Sequence, residues 1–262
     1  MSNPNTGDYS QLAREARRKI LTMISHAGTS HAASNLSVID IATVLYENLK
    51  EGDEVVVSAG WKAASIYYFL AKQGKIPYED LELFGKEIDG KIPYLGLAET
   101  TVPGVLVNGG SVGHGLPVAV GIAYAKKLKG EPGRVYCIMS DGELNEGTTW
   151  ESAALASHLG LENLIAIIDR NGWQAMGKTK EVVNYSRLRA IWRNFGWACG
   201  EVDGHDYRSL DGWLQRRKYG IPACMIANTI KGFGVSFMAD HLLYHYRHVD
   251  EETLQKALQE LQ

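Results

Sequence analysis

Cysteine is scarce in this 262-residue chain: three residues, Cys137, Cys199 and Cys224, each alone among apolar or aromatic neighbours. With no CxxC pair and no ladder of spacings, a disulfide framework is excluded, and the expectation is core thiols in a cytoplasmic protein. Long apolar runs are missing too, so no membrane span is expected. The opening MSNPNTGDYSQLAREARRK is polar and has no apolar centre, which argues against a secretory leader. Neither sign of charge prevails. Lys plus Arg number 27 against 30 Asp plus Glu, a net −3, so nothing electrostatic draws the chain to nucleic acid. Apolar residues are not lacking: at 45% they are enough for a large core and too many for a disordered chain.

Periodicity divides the chain into alternating elements. YSQLAREARRKILTMISHA sets Leu12, Ala16, Ile20, Met23 and Ile24 on one helical side, and after SHAASNLS a second helix reads through VIDIATVLYENL. EVVVSA reads as a short buried strand and WKAASIYYFLAKQG as a helix closed by Gly74. Residues 85–113 are irregular and glycine-rich. Beyond them LPVAVGIAYAKKLKG, WESAALASHLG, RLRAIWRNFG and YRSLDGWLQRRKYG read as helices, interleaved with the strands RVYCIMS, NLIAIID, WACGEVD and PACMIANT. Residues 232–249 read as a loop along the active-site edge, and DEETLQKALQEL as a capped amphipathic helix. Such alternation predicts one α/β domain over 1–262, a mostly parallel sheet with helices on both faces.

Two strand ends carry unusual chemistry. RVYCIMS runs into SDGELNEGTTWE, and NLIAIID into RNGW, with Asp141 and Asn171 thirty residues apart. Ligands of open α/β sheets bind outside the carboxyl ends of the strands. A carboxylate and an amide carbonyl are hard oxygen donors suited to magnesium, which takes several oxygens and commonly bridges to phosphates. A backbone carbonyl of the Asn171-Gly172-Trp173 turn offers a third oxygen, and Gly142 and Gly172 allow the tight turns. Asp-Gly or Asn-Gly alone is ordinary turn chemistry; together, each followed by a helix, they point to a metal.

The stretch SDGELNEGTTWESAALASHLGLENLIAIIDRNGWQAMG resembles the thiamine diphosphate motif in its transketolase form: Gly-Asp-Gly, about thirty residues, then Asn, with Ser140 in place of the first glycine. GTSHAASNLSVIDIATVLY, VPGVLVNGGSVGHGLPVAVGIAYA and NTIKGFGVSFM followed by YHYR resemble further family segments, so the likeness covers nearly the whole chain. The resemblance implies the thiamine diphosphate-binding fold, with the cofactors thiamine diphosphate and Mg2+. Asp141, Asn171 and the Trp173 carbonyl would hold the metal. Gly110, Ser111, Val112, Gly142, Glu143 and His245 would join Asp141 and Asn171 at the cofactor. His31 and His245 would be the catalytic histidines, although His241 and His248 stand near enough to take the place of His245. Glu146 matches an acid that couples two sites across the subunit interface; its plain alternative is a first-turn helix acid.

Transketolases are usually more than twice this long. The resemblance therefore implies the N-terminal half of a split enzyme, active only with a C-terminal, pyrimidine-domain partner chain, in an expected α2β2 assembly. The other half would hold the Glu that protonates the aminopyrimidine. The implied reaction moves a two-carbon ketol unit from a ketose to an aldehyde, with a small sugar or keto compound as substrate.

Two departures matter. Trp61 and Leu97 stand where the family sets histidines, and neither offers what an imidazole gives a sugar hydroxyl; the plain reading is drift in a site whose other contacts suffice, the favoured one a changed substrate. Lys62 beside Trp61 has two readings, a phosphate ligand or a solvated helix-start lysine. The competing functional readings are an α-type subunit of a 2-oxo acid dehydrogenase or decarboxylase, and a non-catalytic paralogue serving as scaffold.

Overall fold

Alternation along the strands decides the layers. The computed structural model describes residues 6–215 and 220–262. Its main sheet holds β1 (Glu54–Val57), β2 (Val135–Ser140), β3 (Leu164–Arg170), β6 (Ala198–Asp203) and β7 (Ala223–Asn228). The order is β1-β2-β3-β7-β6 and every pairing is parallel. Tyr136, Ile138, Ile165, Ile167 and Met225 point into one apolar layer; Cys137, Met139, Ala166, Ile168 and Cys224 point into the other. A sheet buried on both faces needs apolar residues at nearly every position, as VYCIM and LIAII supply.

Helices α1 (Thr6–Ala27), α2 (Ala32–Glu47), α3 (Ala63–Lys72), α8 (Tyr207–Leu214) and α9 (Glu251–Glu260) cover the first face. On the other lie α4 (Gly115–Lys129), α5 (Gly147–His158) and α7 (Leu188–Asn194). A short hairpin, β4 (Trp173–Gln174) with β5 (Gly177–Lys178), and one turn of helix, α6 (Thr179–Val182), follow β3.

Several boundaries differ from the sequence expectation. The second helix starts at Ala32, six residues before Val38, because α2 is buried from Ala32 through Tyr46. A helix with no exposed face shows no amphipathic stripe, and its Ser and Asn residues read as loop. The first strand ends at Val57, and the third helix is preceded by a 3-10 turn, Gly60–Lys62. The hairpin and α6 were not expected. Part of the helix read over 207–220 lies outside the described residues; the described part ends at Leu214. The final helix is capped as expected, Asp250 accepting from the Thr253 amide at 2.8 Å.

Candidate functional site

Parallel pairing brings the two motif ends together. Ser140 lies opposite Asp169, so Asp141 and Asn171 emerge side by side on the C-terminal rim of the sheet. The Asp141 Oδ2 accepts from the Gly172 amide at 2.9 Å and from the Thr179 hydroxyl at 2.8 Å. Its Oδ1 is buried and has no partner. Burial raises the carboxyl from 3.8 to about 6, and the nearby Asp169 charge adds to the rise against the two hydrogen bonds. Asn171 Oδ1 accepts from the Trp173 amide at 3.1 Å, which leaves one lone pair. A buried carboxylate oxygen with nothing to bond, next to an amide oxygen, fits a small hard cation. The described residues form no cluster of three or more His, Cys, Asp or Glu that could hold a metal; a site of one carboxylate, one amide and one backbone carbonyl would form no such cluster.

Beside this pair opens a cavity of about 470 Å³ at the sheet rim. Its floor holds Asn171, Lys62, Lys231 and Ser34; its outer wall holds Trp61, Leu97, Val112 and Met176. Lys231 is buried, with Nζ donating to Ser34 Oγ at 3.1 Å and to His245 Nδ1 at 2.9 Å. Burial lowers its ammonium to about 8, with the Lys62 charge pushing the same way. His31 and His245 meet edge to face, ring centres 4.6 Å apart. Burial, then the Lys231 charge, lowers His31 to about 4 and His245 to about 3, so both imidazoles are neutral at physiological pH. His31 has the left-handed φ of 68°, and its amide donates to the His245 carbonyl at 3.2 Å.

The glycine-rich loop is held from behind. A Cβ on Gly60 would lie 2.1 Å from Gly109 Cα, so the two backbones cross where no side chain fits. Glu143 is fully buried. One of its oxygens accepts from Ser58 Oγ and from the Gly113 amide at 3.1 Å; the other takes the Ser140 amide at 2.8 Å. Burial pushes the carboxyl upward. Glu143 ties the loop to the ends of β1 and β2 and does not line the cavity. Of the loop residues, Gly110 and Val112 line it and Ser111 does not. Gly142, Glu146 and Trp173 line it as well, whereas Asp141 borders an adjoining hollow of about 320 Å³. Glu146 stands at the N-cap of α5 without making a cap hydrogen bond. Lys62 is not solvated: it is 1% exposed, bonded to Asp169 Oδ2 at 2.5 Å and to the Ser34 carbonyl at 2.8 Å.

Residues 9–261 match the family described as transketolase, thiamine diphosphate binding domain. The chain belongs to this family. It is 36% identical to one subunit of the apulose-4-phosphate transketolase of Actinobacillus succinogenes, an alignment covering 99% of each chain. It is 32% identical to a 6-deoxy-6-sulfo-D-fructose transketolase subunit of a Clostridium species, covering 97% of this chain and 96% of that one. The transketolase of Campylobacter jejuni superposes with a TM-score of 0.88 at 28% identity, covering 100% of this chain and 43% of that one. The chain thus spans less than half of that transketolase, and nearly all of the Actinobacillus relative.

Within the transketolase domain, the sequence reading passed over Lys231, Ser34, Asn145 and Gln174, all of which line the cavity. Lys231 lies three residues beyond β7, on the same rim that singled out Asp141 and Asn171, and that argument would have found it. Ser34 was hidden in a segment read as loop. Asn145 Nδ2 donates to Gln174 Oε1 at 3.0 Å, while Asn145 Oδ1 and Gln174 Nε2 are buried and unpartnered. Asp141, Asn145, Gln174 and His31 together supply four of the eight unpartnered buried side-chain atoms among the described residues. Such atoms are rare in folded proteins; three of these residues line the cavity and Asp141 stands beside it, and their gathering on one rim marks a place built for a ligand.

Proposed function

We propose that this chain is the diphosphate-binding subunit of a two-chain transketolase that moves a two-carbon ketol unit from a ketose to an aldehyde. The carrying observation is a cavity floored by two buried lysines and walled at its mouth by apolar side chains, beside which Asp141 keeps an unpartnered carboxylate oxygen. Asp141, Asn171 and the Trp173 carbonyl would hold magnesium; Lys231 and the backbone of Gly142 would face the diphosphate. When bound, thiamine diphosphate supplies the electron sink for carbon–carbon cleavage. His245, its Nδ1 occupied by Lys231, offers a proton at Nε2. The family match over residues 9–261 is to the thiamine diphosphate binding domain, and exposed Met176, Tyr246 and Leu243 beside the mouth suit a covering partner. We assign that role to a pyrimidine-domain chain, in two copies of each, in the cytoplasm.

A substrate departing from the common sugar phosphates follows from Trp61 and Leu97, and relatives named for apulose-4-phosphate and 6-deoxy-6-sulfo-D-fructose accord with it. The test is to purify the chain with what it binds in its native cells, then assay ketol transfer and carbon dioxide release separately. Recovery of a stoichiometric second chain and transfer without carbon dioxide are expected. Carbon dioxide release from a 2-oxo acid would replace this reading with a decarboxylase, and a complex without magnesium-dependent cofactor binding would leave the scaffold. In the active complex, Trp61→His should raise kcat/KM on common sugar phosphates relative to the native substrate by about tenfold, the scale of one regained polar contact. An unchanged ratio would count against Trp61 as a specificity determinant.

A further inference from the structure

The segment after β7 is fixed from outside the cavity. Asp40, buried in the middle of α2, accepts from Arg17 Nη2 at 2.6 Å, His205 Nδ1 at 2.7 Å and Tyr207 Oη at 2.7 Å. His205 faces two ways, since its Nε2 accepts from the Ile230 amide at 2.8 Å. An imidazole that donates at Nδ1 and accepts at Nε2 is a neutral ring in one tautomer, and Asp40 selects it. The ring also stacks on Phe233, centroids 3.5 Å apart and planes 13° from parallel. Arg17 Nε completes the grip by donating to the Phe233 carbonyl at 3.2 Å. The two ends of Ile230–Phe233 are therefore fastened to one buried carboxylate. Between them sits Lys231, whose side chain runs the other way, to Ser34 and His245.

We propose that His205, oriented by Asp40, is a positioning residue for the cavity: by holding the Ile230 amide it directs Lys231 onto His245 and so fixes which ring nitrogen of His245 carries the proton. Lys231 can only donate, so His245 Nδ1 must accept and its hydrogen must sit on Nε2. A free imidazole exchanges between both tautomers; here a chain of three hydrogen bonds running back to α2 selects one. The same aim keeps the Lys231 ammonium over the cavity floor. The consequence for cofactor affinity rests on the reading of that floor as the diphosphate site; the tautomer of His245 does not.

Two substitutions separate the two bonds of His205. A glutamine reaches the position of Nε2 and can still accept from Ile230; an asparagine reaches only the position of Nδ1 and can still donate to Asp40. Imidazole nitrogen-15 spectra of the full-length chain read the His245 tautomer without any cofactor. The expectation is a single Nε2-protonated form in the wild type and in His205→Gln, and a tautomer mixture in His205→Asn. In the assembled complex, His205→Asn should weaken thiamine diphosphate binding about tenfold while His205→Gln stays near wild type, the size expected for one misdirected charged hydrogen bond. An unchanged His245 spectrum in His205→Asn, or equal loss in both variants, overturns the proposal, equal loss marking His205 as a packing residue only. A wild-type complex that binds no thiamine diphosphate would refute the cofactor-site reading, and the spectra would still decide the proposal.

Discussion

Asp141→Asn should yield a protein that is more stable without metal and unable to bind thiamine diphosphate with magnesium. The asparagine carbonyl can keep both donors now on Oδ2, the Gly172 amide and the Thr179 hydroxyl. What disappears is a buried negative charge close to Asp169, together with the unpartnered Oδ1 that fits a cation. The sign follows from linkage. The folded carboxyl titrates at about 6 against 3.8 for the ordinary group, so the unfolded chain gives up its proton first. The metal-free fold therefore loses stability as pH rises from about 4 to about 6, and the loss persists above that range. Two pK units correspond to about 3 kcal/mol, an upper bound for what the substitution returns at neutral pH. At pH 4 the wild-type carboxyl is already protonated and the variants should converge. Denaturant melts in chelator at pH 4 and 7.5 measure this, and calorimetry on the assembled complex measures the cofactor. A variant less stable than wild type at pH 7.5 would overturn the buried-charge argument, and one that keeps magnesium-dependent binding would remove Asp141 from the proposed metal site.

The sequence made the sheet legible because its central strands are buried on both faces and read as continuous apolar runs. It made Asp141 and Asn171 legible because they end two of those runs. What it hid has physical reasons. Helix α2 is surrounded, so burial erased the stripe that marks a helix, and Ser34 went unread with it. Glu143 sits inside a matched motif, and its buried carboxylate accepts from backbone amides and a hydroxyl, an arrangement no spacing announces. Lys62 offered two sensible readings, solvent or phosphate; the partner it chose, Asp169, lies 107 residues away in sequence and meets it only after the sheet has formed. Leu97 and Trp61 were legible as departures, and the structure sets both on the cavity wall.

Asp169→Asn should be among the most damaging single changes in the chain, costing about 3–5 kcal/mol, the usual penalty for stripping one member from a buried ion pair. Its carboxylate is completely buried and each group bonded to it donates. Oδ2 takes Lys62 Nζ at 2.5 Å, Ser37 Oγ at 2.6 Å and Asn171 Nδ2 at 3.4 Å; Oδ1 takes the Thr229 hydroxyl. An amide NH2 in place of Oδ2 sets donor against the Lys62 ammonium, one in place of Oδ1 can be met only by the Thr229 hydroxyl turning to accept, and either way the buried Lys62 loses its counter-charge. Burial alone pushes the Asp169 carboxyl upward, but Lys62 and the hydrogen bonds outweigh it and hold the group below the ordinary range. The contribution is therefore fully present above about pH 4 and fades only as acid approaches the lowered value, opposite in sign to Asp141. The two neighbours thus predict opposite responses to the same substitution at neutral pH: asparagine stabilises the metal-free chain at 141 and destabilises it at 169. If the loss at 169 comes from the orphaned charge, Lys62→Met added to Asp169→Leu should restore much of it, because removing both ions replaces a desolvated pair with apolar contact. A double variant as unstable as Asp169→Asn would instead assign the loss to the Ser37, Thr229 and Asn171 bonds, and with it the fixing of Asn171 beside Asp141.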